Sequence, residues 1–409
     1  MDQKAFLSLL AAAVQHGASD IHLHPGMSPG FRLRGDLVNV KGEPLTEADF
    51  QTIVQVLFHG REMPKDLSKI QDHDGSFEVK NLSRFRYNLF RYKGRLGAIL
   101  RIIPAEIPTI EKLGLPSVLK KIAEVPRGLV LVTGATGSGK SSTLAAMIDH
   151  INGTSPCHIL TIEDPIEFLH PNKKSRMSQR EVGSDTGSFA HALRAALRQD
   201  PDVILVGEMR DPETIDVALK AAETGHLVFS TVHTNDAIKT IGRLISVFPP
   251  EEQRMVRMRL ADNLMATISQ RLIKRADGKG SIAAQEIMIS NKGIAECISD
   301  PDKTHEINDF ITKSRELSGG QTFDQHLSEL FLKKLITRDA AMANATSPAD
   351  FERNLMYGGN PGAETGTADA GKRRTPPPPG RKAPESDGPT SSQVVVLEGM
   401  GRDKEKKGA

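Results

Sequence analysis

The fold is decided by the segment Gly128-Leu-Val-Leu-Val-Thr-Gly134-Ala-Thr-Gly-Ser-Gly139-Lys140-Ser141. Its first half is a continuous aliphatic run, the pattern of a β-strand buried on both faces of a parallel sheet. Its second half matches G-x-x-x-x-G-K-[ST], in which glycines let backbone N–H groups surround phosphate oxygens at a helix N-terminus. Because the context is correct on both sides, a chance glycine loop is a poor explanation, and a nucleotide-binding loop is predicted.

The end of this loop supplies the side chains that nucleotide chemistry requires. Lys140 is expected to reach the β- and γ-phosphates, and the Ser141 hydroxyl is expected to ligate Mg²⁺. The predicted nucleotide contacts in the loop are Gly134, Ala135, Thr136, Gly137, Ser138, Gly139, Lys140, Ser141 and Ser142.

Three later segments repeat the aliphatic strand pattern: Ile159–Ile162, Val203–Val206 and Leu227–Val232. Helical segments separate them, and strands that alternate with helices predict a doubly wound α/β domain. We place this domain at residues 121–357. Its last part, residues 250–350, is predicted to be mainly helical, with one candidate strand at Ile282–Ile287.

Acidic residues follow two of these strands, at the edge where a parallel sheet forms its ligand crevice. Glu208 stands where a P-loop enzyme usually has aspartate and is predicted to support Mg²⁺. The alternative is that it caps the helix region at Asp211. Glu163 begins the acidic cluster 163–167 and is predicted to orient the attacking water. A solvated acidic turn is the alternative there.

Two histidines flank the segment Leu227–Val232. His233 follows its C-terminal end, on the crevice side, and is predicted to contact the γ-phosphate. His226 precedes the segment at its opposite end, where a structural role explains it as well as a catalytic one.

Residues 1–103 have a different pattern, with short strands and two amphipathic helices, and predict a small α+β domain. A linker with three prolines follows at 104–120. Residues 358–409 are rich in glycine and proline and contain no aromatic residue, so a disordered tail is predicted.

The N-terminal domain carries a basic strand surface, formed by Arg84, Arg86, Arg91 and Arg101. Such a surface binds nucleic acid, remains solvated charge, or supplies arginine fingers to the nucleotide of a neighbouring subunit. The phenylalanines beside it are explained by core packing, which makes a base-stacking platform the weakest of these alternatives.

Composition limits the remaining classes. The formal net charge is +2, so there is little general drive to bind nucleic acid, and none is predicted as a partner. Cys157 and Cys297 are the two cysteines, which excludes a disulfide scaffold and fits a reducing compartment. No apolar stretch is long enough to span a bilayer. We therefore expect a cytoplasmic protein.

Residues 1–355 resemble the retraction ATPases of type IV pili, a PilT-like branch of the secretion-ATPase superfamily, which also contains the GspE-like proteins. The motifs that carry the resemblance are Gly17-Ala-Ser-Asp20-Ile-His22, Arg84-Phe-Arg86, the Gly134–Ser141 loop, Thr161-Ile-Glu163-Asp-Pro-Ile-Glu167, Gln179-Arg-Glu-Val-Gly183, Ala192-Leu-Arg194-Ala-Ala-Leu-Arg198-Gln-Asp-Pro-Asp202, Gly207-Glu208-Met-Arg-Asp211, Thr224-Gly-His226 and Ser230-Thr-Val-His233-Thr. The chain lacks the tetracysteine zinc insert of the extension ATPases, which favours retraction.

The resemblance implies a PAS-like N-terminal domain, a RecA-like P-loop domain with a helical C-terminal part, and a homohexameric ring that hydrolyses ATP. It implies that Glu163 is the general base, that Glu208 is the Walker B glutamate, and that His226 and His233 form a histidine box. The four arginines become candidate contacts in trans, between one subunit's motor domain and a neighbour's N-terminal domain.

The function implied is an ATP-driven motor for pilus retraction, docked on a platform protein at the inner membrane. One departure leaves alternatives open: the family's Ala-Ile-Arg-Asn-Leu-Ile motif is Gly293-Ile-Ala-Glu-Cys-Ile298 here, without its arginine. This departure leaves open an accessory, PilU-like retraction paralogue, which is also a candidate partner. Independently of this motif, another secretion-type motor is a second alternative. A non-catalytic nucleotide-binding ring subunit is the third.

Overall fold

A computed structural model describes residues 1–33, 35–58, 67–103 and 106–356. The predicted tail at 358–409 lies outside the described residues, as do the first two residues of the predicted linker. The described chain is built on two β-sheets, one formed by residues before 104 and the other by residues after 127.

Six strands form the first sheet: β1 (Asp20–Leu23), β2 (Gly30–Leu33), β3 (Asp36–Asn39), β4 (Asp72–Val79), β5 (Ser83–Tyr92) and β6 (Arg95–Ile103). Every neighbouring pair is antiparallel, in the order β3-β2-β1-β6-β5-β4. A short 3₁₀ helix, Leu67–Lys69, precedes β4.

Two helices accompany this sheet, α1 (Gln3–Gln15) and α2 (Glu47–Leu57), and both begin at capping side chains. The Asp2 carboxylate accepts the Ala5 N–H at 2.7 Å, and Thr46 and Asp49 form a reciprocal capping box. Their apolar faces share one core with β5 and β6, centred on Phe6, Leu10, Ile53, Phe85 and Tyr87. This is the small α+β arrangement that the sequence predicts.

The second sheet and its helices follow in chain order: α3 (Val118–Ala123), β7 (Gly128–Thr133), α4 (Lys140–Thr154), β8 (His158–Glu163), β9 (Arg176–Glu181), α5 (Phe189–Ala196), β10 (Val203–Val206), α6 (Pro212–Glu223), β11 (Leu227–Val232), α7 (Ala237–Ser246), α8 (Pro250–Asn263), β12 (Leu264–Lys274) and β13 (Ser281–Ile289). The strand order is β13-β12-β7-β11-β10-β8-β9, parallel from β12 to β9, with β13 antiparallel at the edge.

Both faces of this sheet are covered, which explains the continuous aliphatic runs. Leu129 and Leu131 of β7 pack in one core with α5, α6, α7 and α8, whereas Val130 and Val132 pack in a second core with α3 and α4. All residues of β7, β10 and β11 are buried. The doubly wound prediction is confirmed.

The prediction for residues 250–350 is wrong for the segment that forms β12. These eleven residues were predicted to be helical, but they pair in parallel with β7 and antiparallel with β13. Their polar members conceal the strand pattern, because Thr267, Ser269 and Gln270 are buried and hydrogen-bonded or enclosed rather than exposed. The candidate strand at Ile282–Ile287 is confirmed within β13.

Six helices complete the described chain: α9 (Lys292–Ser299), α10 (Ile307–Lys313), α11 (Arg315–Ser318), α12 (Phe323–Leu332), α13 (Arg338–Asn344) and α14 (Pro348–Met356), with a 3₁₀ helix at Pro301–Glu306. The altered Gly293–Ile298 motif lies on α9, where Ile294, Cys297 and Ile298 are buried. Any larger residue at position 293 would clash with Phe310, because a Cβ added to Gly293 would lie 2.4 Å from that ring. Among the helices described, none has the length and hydrophobicity needed to cross a membrane.

Candidate active site

A cleft of about 540 Å³ opens at the carboxyl ends of the parallel strands. Glu163 ends β8, Glu208 follows β10 and His233 follows β11, and all three line the cleft together with the glycine loop after β7. Residues that are far apart in the sequence meet here because parallel strands end at the same edge of the sheet.

The glycine loop turns sharply between β7 and α4. Gly139 adopts a left-handed conformation, with φ of +87°, and Gly134 has φ of +146°. A Cβ at Gly134 would lie 2.5 Å from Ser138 Oγ, so only glycine fits there. Of the predicted loop contacts, those that line the cleft are Thr136, Gly137, Gly139, Lys140, Ser141 and Ser142.

The remaining predicted loop residues, Gly134, Ala135 and Ser138, do not line the cleft. The carbonyl oxygens of Gly134 and Ala135 each accept a hydrogen bond from Lys140 Nζ at 3.0 Å. The ammonium therefore lies inside the curve of the loop, and only 8% of Lys140 is exposed. Burial lowers the Lys140 pKa, and the negative charges of Glu167 and Glu208 oppose this change.

Glu163 is held in place by two donors. Its Oε1 accepts from Thr161 Oγ1 at 2.7 Å and from Gln179 Nε2 at 3.1 Å. The Gln179 amide also donates to the Phe168 carbonyl, so it connects Glu163 to the loop that follows β8. Desolvation raises the pKa of Glu163 despite these hydrogen bonds, which gives a carboxylate that takes up a proton more readily than an exposed one.

Glu208 lies between two basic side chains at the mouth of the cleft. Its Oε2 is 2.7 Å from Arg210 Nη2 and 3.7 Å from His233 Nε2. Burial and then the charge of Lys140 lower the His233 pKa, so the imidazole is neutral at pH 7. At 3.7 Å the neutral ring lies near the carboxylate, but it forms neither an ion pair nor a direct hydrogen bond with it.

The residues present fit a magnesium nucleotide. Ser138 Oγ is buried in the loop without a hydrogen-bond partner among the described residues, and the N-terminus of α4 begins at Lys140. The Ser141 hydroxyl and the Glu208 carboxylate are hard oxygen ligands of the kind that Mg²⁺ prefers. Nowhere in the described ranges do three His, Cys, Asp or Glu side chains come together as a metal cluster.

The four predicted arginines occupy different positions within the chain. Arg86 lines the cleft of its own chain. Arg84 pairs with Glu181, Arg91 donates to the carbonyls of Leu67, Ile70 and Gly94, and Arg101 pairs with Asp20. The chain therefore brings only Arg86 of this set to its cleft, and the contacts in trans stay a prediction.

His226 lies away from the cleft. It precedes β11 at the amino-terminal edge of the sheet, where its Nδ1 is 2.9 Å from the Ala221 carbonyl and 3.2 Å from Thr224 Oγ1. These contacts fix the end of α6, the structural alternative given above. The predicted nucleotide contact of His226 is not formed within one chain, because β11 separates it from His233.

A buried carboxylate joins the two sheets beside the cleft. Glu181 Oε1 accepts from Ser76 Oγ at 2.6 Å, and Oε2 accepts from Arg84 Nη2 at 2.7 Å. Oε2 also accepts the Ile166 backbone N–H at 3.2 Å, in the loop that begins at Glu163. Burial acts to raise the Glu181 pKa, but the Ser76 hydrogen bond and the Arg84 charge outweigh it, so the pKa is lowered.

Glu181→Gln is expected to destabilise the protein by about 3 kcal/mol, because it leaves the Arg84 guanidinium buried without a countercharge. A lowered folded-state pKa means that this stabilisation is present above the unfolded-state pKa and is lost as the pH falls through the folded-state value. Urea unfolding at several pH values checks both points.

The matched comparison for this pair is Arg84→Met with the double variant. If the ion pair stabilises the fold, the double variant is less destabilised than the sum of the two single variants. Strict additivity, or a difference that persists unchanged at acid pH, would contradict it.

Several site residues were not identified from the sequence. Arg210, Gln179 and Glu181 lie inside motifs quoted above, but no local pattern indicates their partners. Arg84 and Glu181 are 97 residues apart in the sequence, and Gln179 donates to Glu163 on the neighbouring strand. The one usable signal was the position of Arg210, two residues after Glu208 in the sequence.

Comparisons with known proteins give similar sequences over most of the chain. The family described as "Type II/IV secretion system protein" matches residues 3–333. The type IV pilus retraction ATPase PilT of Pseudomonas aeruginosa is 49% identical over 343 residues, which are 84% of this chain and 98% of the relative. The type IV pilus ATPase PilU of the same species is 39% identical over 360 residues, 88% of this chain and 93% of the relative.

A solved structure shows the same fold. The pilus retraction motor PilT with bound ADP superposes with a TM-score of 0.77 at 45% identity, over 85% of this chain and 98% of that chain.

Proposed function

Since the chain belongs to the Type II/IV secretion system protein family, we propose that it is a motor that hydrolyses ATP to ADP and phosphate and powers retraction of type IV pili. One observation carries the proposal. The glycine loop, Glu163, Glu208 and His233 line a single cleft, and Arg86 of the first sheet lines the same cleft. A cleft walled by both sheets lets nucleotide chemistry move one sheet relative to the other.

Each residue has a role that follows from its position. Lys140, buried in the loop, offsets phosphate charge. Ser141 and Glu208 hold Mg²⁺, which when bound supplies Lewis-acid stabilisation of the phosphates. Glu163, fixed by Thr161 and Gln179, accepts a proton from the attacking water.

His233 links the state of the nucleotide to β11, because its contacts differ before and after phosphate release. Its neutral ring lies beside Glu208 and follows β11, so it is placed to donate a hydrogen bond toward the transferred phosphate. Release of phosphate removes that acceptor and leaves the ring beside Glu208. The remaining nucleotide contacts are backbone N–H groups of the loop and the N-terminus of α4.

The working assembly in this proposal is a homohexameric ring in the cytoplasm. Arg86 serves the cleft of its own chain. The other three arginines of the set, Arg84, Arg91 and Arg101, are the candidates for contacts with a neighbour's cleft. The ring docks at the inner membrane on the pilus platform protein and drives pilin disassembly, and a paralogous retraction ATPase is a further partner. The retraction motor PilT, similar to this chain over nearly its whole length, supports this reading.

An accessory, PilU-like role is the second candidate. The missing arginine on α9 favours it, because Ala295 occupies that position of the motif. The identities favour the PilT-like role, at 49% against 39% over similar lengths. The intact cleft argues against a non-catalytic ring subunit.

Deletion of the gene in its own organism tests the proposal. Loss of retraction should leave excess surface pili and abolish twitching, and the wild-type gene should restore both, while an allele with Lys140→Ala should not. Normal pili with a secretion defect would identify another secretion-type motor instead. Partial loss of twitching that a second retraction ATPase compensates would favour the accessory role.

A further inference from the structure

A buried amide braces the glycine loop from behind. Gln270 of β12 donates from Nε2 to the Ser138 carbonyl at 2.6 Å. Its Oε1 accepts from Thr143 Oγ1 at 2.8 Å, in the first turn of α4. One side chain therefore binds both the loop and the helix that the loop begins, and only 3% of Gln270 is exposed.

Two glycines of the loop pack directly against this residue. A Cβ at Gly134 would lie 2.5 Å from the Gln270 carbonyl oxygen, and a Cβ at Gly139 would lie 2.8 Å from its Nε2. The loop thus has no room to move toward β12, so its curve is fixed by contact as well as by hydrogen bonding.

The contacts continue from Gln270 into the C-terminal helices. Gln285 of β13 donates from Nε2 to Gln270 Oε1 at 2.8 Å. The Gln285 backbone N–H donates to His326 Nδ1 at 2.9 Å, and Gln321 Nε2 donates to the Gln285 carbonyl at 3.1 Å. His326 lies on α12 and is buried, and burial lowers its pKa to about 4, so its Nδ1 is an acceptor at neutral pH.

We propose that Gln270 is a positioning residue for the nucleotide site, and that Gln285 and His326 connect its amide to the C-terminal helices. The proposal rests on nucleotide binding by this cleft, as proposed above. Gln270 does not line the cleft, so its effect acts through the Ser138 carbonyl and the start of α4. A loop held in its phosphate-binding curve binds nucleotide without first having to become ordered.

Gln270→Glu isolates the contact with the loop. A carboxylate keeps the acceptor for Thr143 and Gln285 but places an oxygen against the Ser138 carbonyl, where the amide donated. We expect the Kd for MgADP and the KM for ATP to rise about 10-fold or more, with a much smaller change in kcat. Titration with a fluorescent ADP analogue and steady-state ATPase assays measure both.

Two further variants keep the test decisive if the buried glutamate prevents folding. Gln270→Met keeps the side-chain length without either hydrogen bond, and Gln285→Met removes a donor that lies outside the cleft. Both should raise the Kd for MgADP, with Gln285→Met having the smaller effect. Gln51→Glu, an exposed change of the same chemistry on α2, is the control.

The outcomes separate this proposal from the proposed function. If wild-type protein binds MgADP and the folded Gln270→Met and Gln285→Met variants bind it equally well, the positioning role is wrong. A fall in kcat at unchanged KM would also overturn it, since that would place Gln270 in the chemical step. If wild-type protein binds no MgADP, the proposed function itself fails.

Discussion

Lys140→Ala is expected to lower the rate of ATP hydrolysis at least about 100-fold. The ammonium is buried inside the loop and donates to the carbonyls of Gly134 and Ala135, so its charge acts at short range on bound phosphates. Water that enters the space left by the alanine carries no positive charge and therefore does not replace the ammonium. Phosphate release with saturating MgATP measures the loss.

Lys140→Met and Lys121→Ala complete this experiment. Methionine keeps the packing of the lysine chain without its charge, so an equal loss in both Lys140 variants assigns the effect to the charge. Lys121 is exposed on α3, and its removal should leave the rate unchanged. Hydrolysis retained by Lys140→Met would show that the cleft does not depend on this ammonium.

Glu163→Gln is expected to lower kcat about 100-fold or more while the affinity for MgADP stays within about twofold. The amide keeps an oxygen for the Thr161 and Gln179 donors, so the geometry of the loop after β8 is preserved. What is lost is the ability to accept a proton from water. Single-turnover hydrolysis together with ADP titration separates the two effects.

The pH profile gives the same residue a second signature. Because desolvation raises the Glu163 pKa, the wild-type rate should fall on acidification at a pH above the ordinary range of glutamic acid. The ionised form is the active base, so the rate recovers as the pH rises through that pKa. The residual rate of Glu163→Gln should lack this acidic limb, whereas Glu252→Gln, an exposed control on α8, should retain it. An identical limb in Glu163→Gln would assign the titration to another group.

The sequence alone was sufficient for the part of the site that depends on chain order. A parallel sheet places every residue that follows a strand at one edge, so Glu163, Glu208 and His233 were located once their strands were recognised. The loop was predicted because the positions of its glycines have a local cause: Gly134 and Gly139 adopt positive φ angles. These inferences need no knowledge of distant contacts.

The rest of the site depends on contacts that no local pattern contains. Gln270 meets Ser138 across 132 residues of sequence, on a strand whose buried polar residues do not follow an aliphatic pattern. For the arginines, only one member of each ion pair could be identified from the sequence. Their alternation along β5 and β6 was visible, but their partners Asp20 and Glu181 decide that Arg101 and Arg84 are engaged within the chain.

The Glu181 carboxylate has a mechanical consequence. Its Oε2 accepts hydrogen bonds from Arg84 of the first sheet and from Ile166 in the loop that starts at the proposed base. A force that draws the first sheet outward stretches the first of these bonds and, through the same atom, pulls on the second. In the proposed motor, a load on the first sheet is therefore expected to reach the loop after Glu163 through this one oxygen.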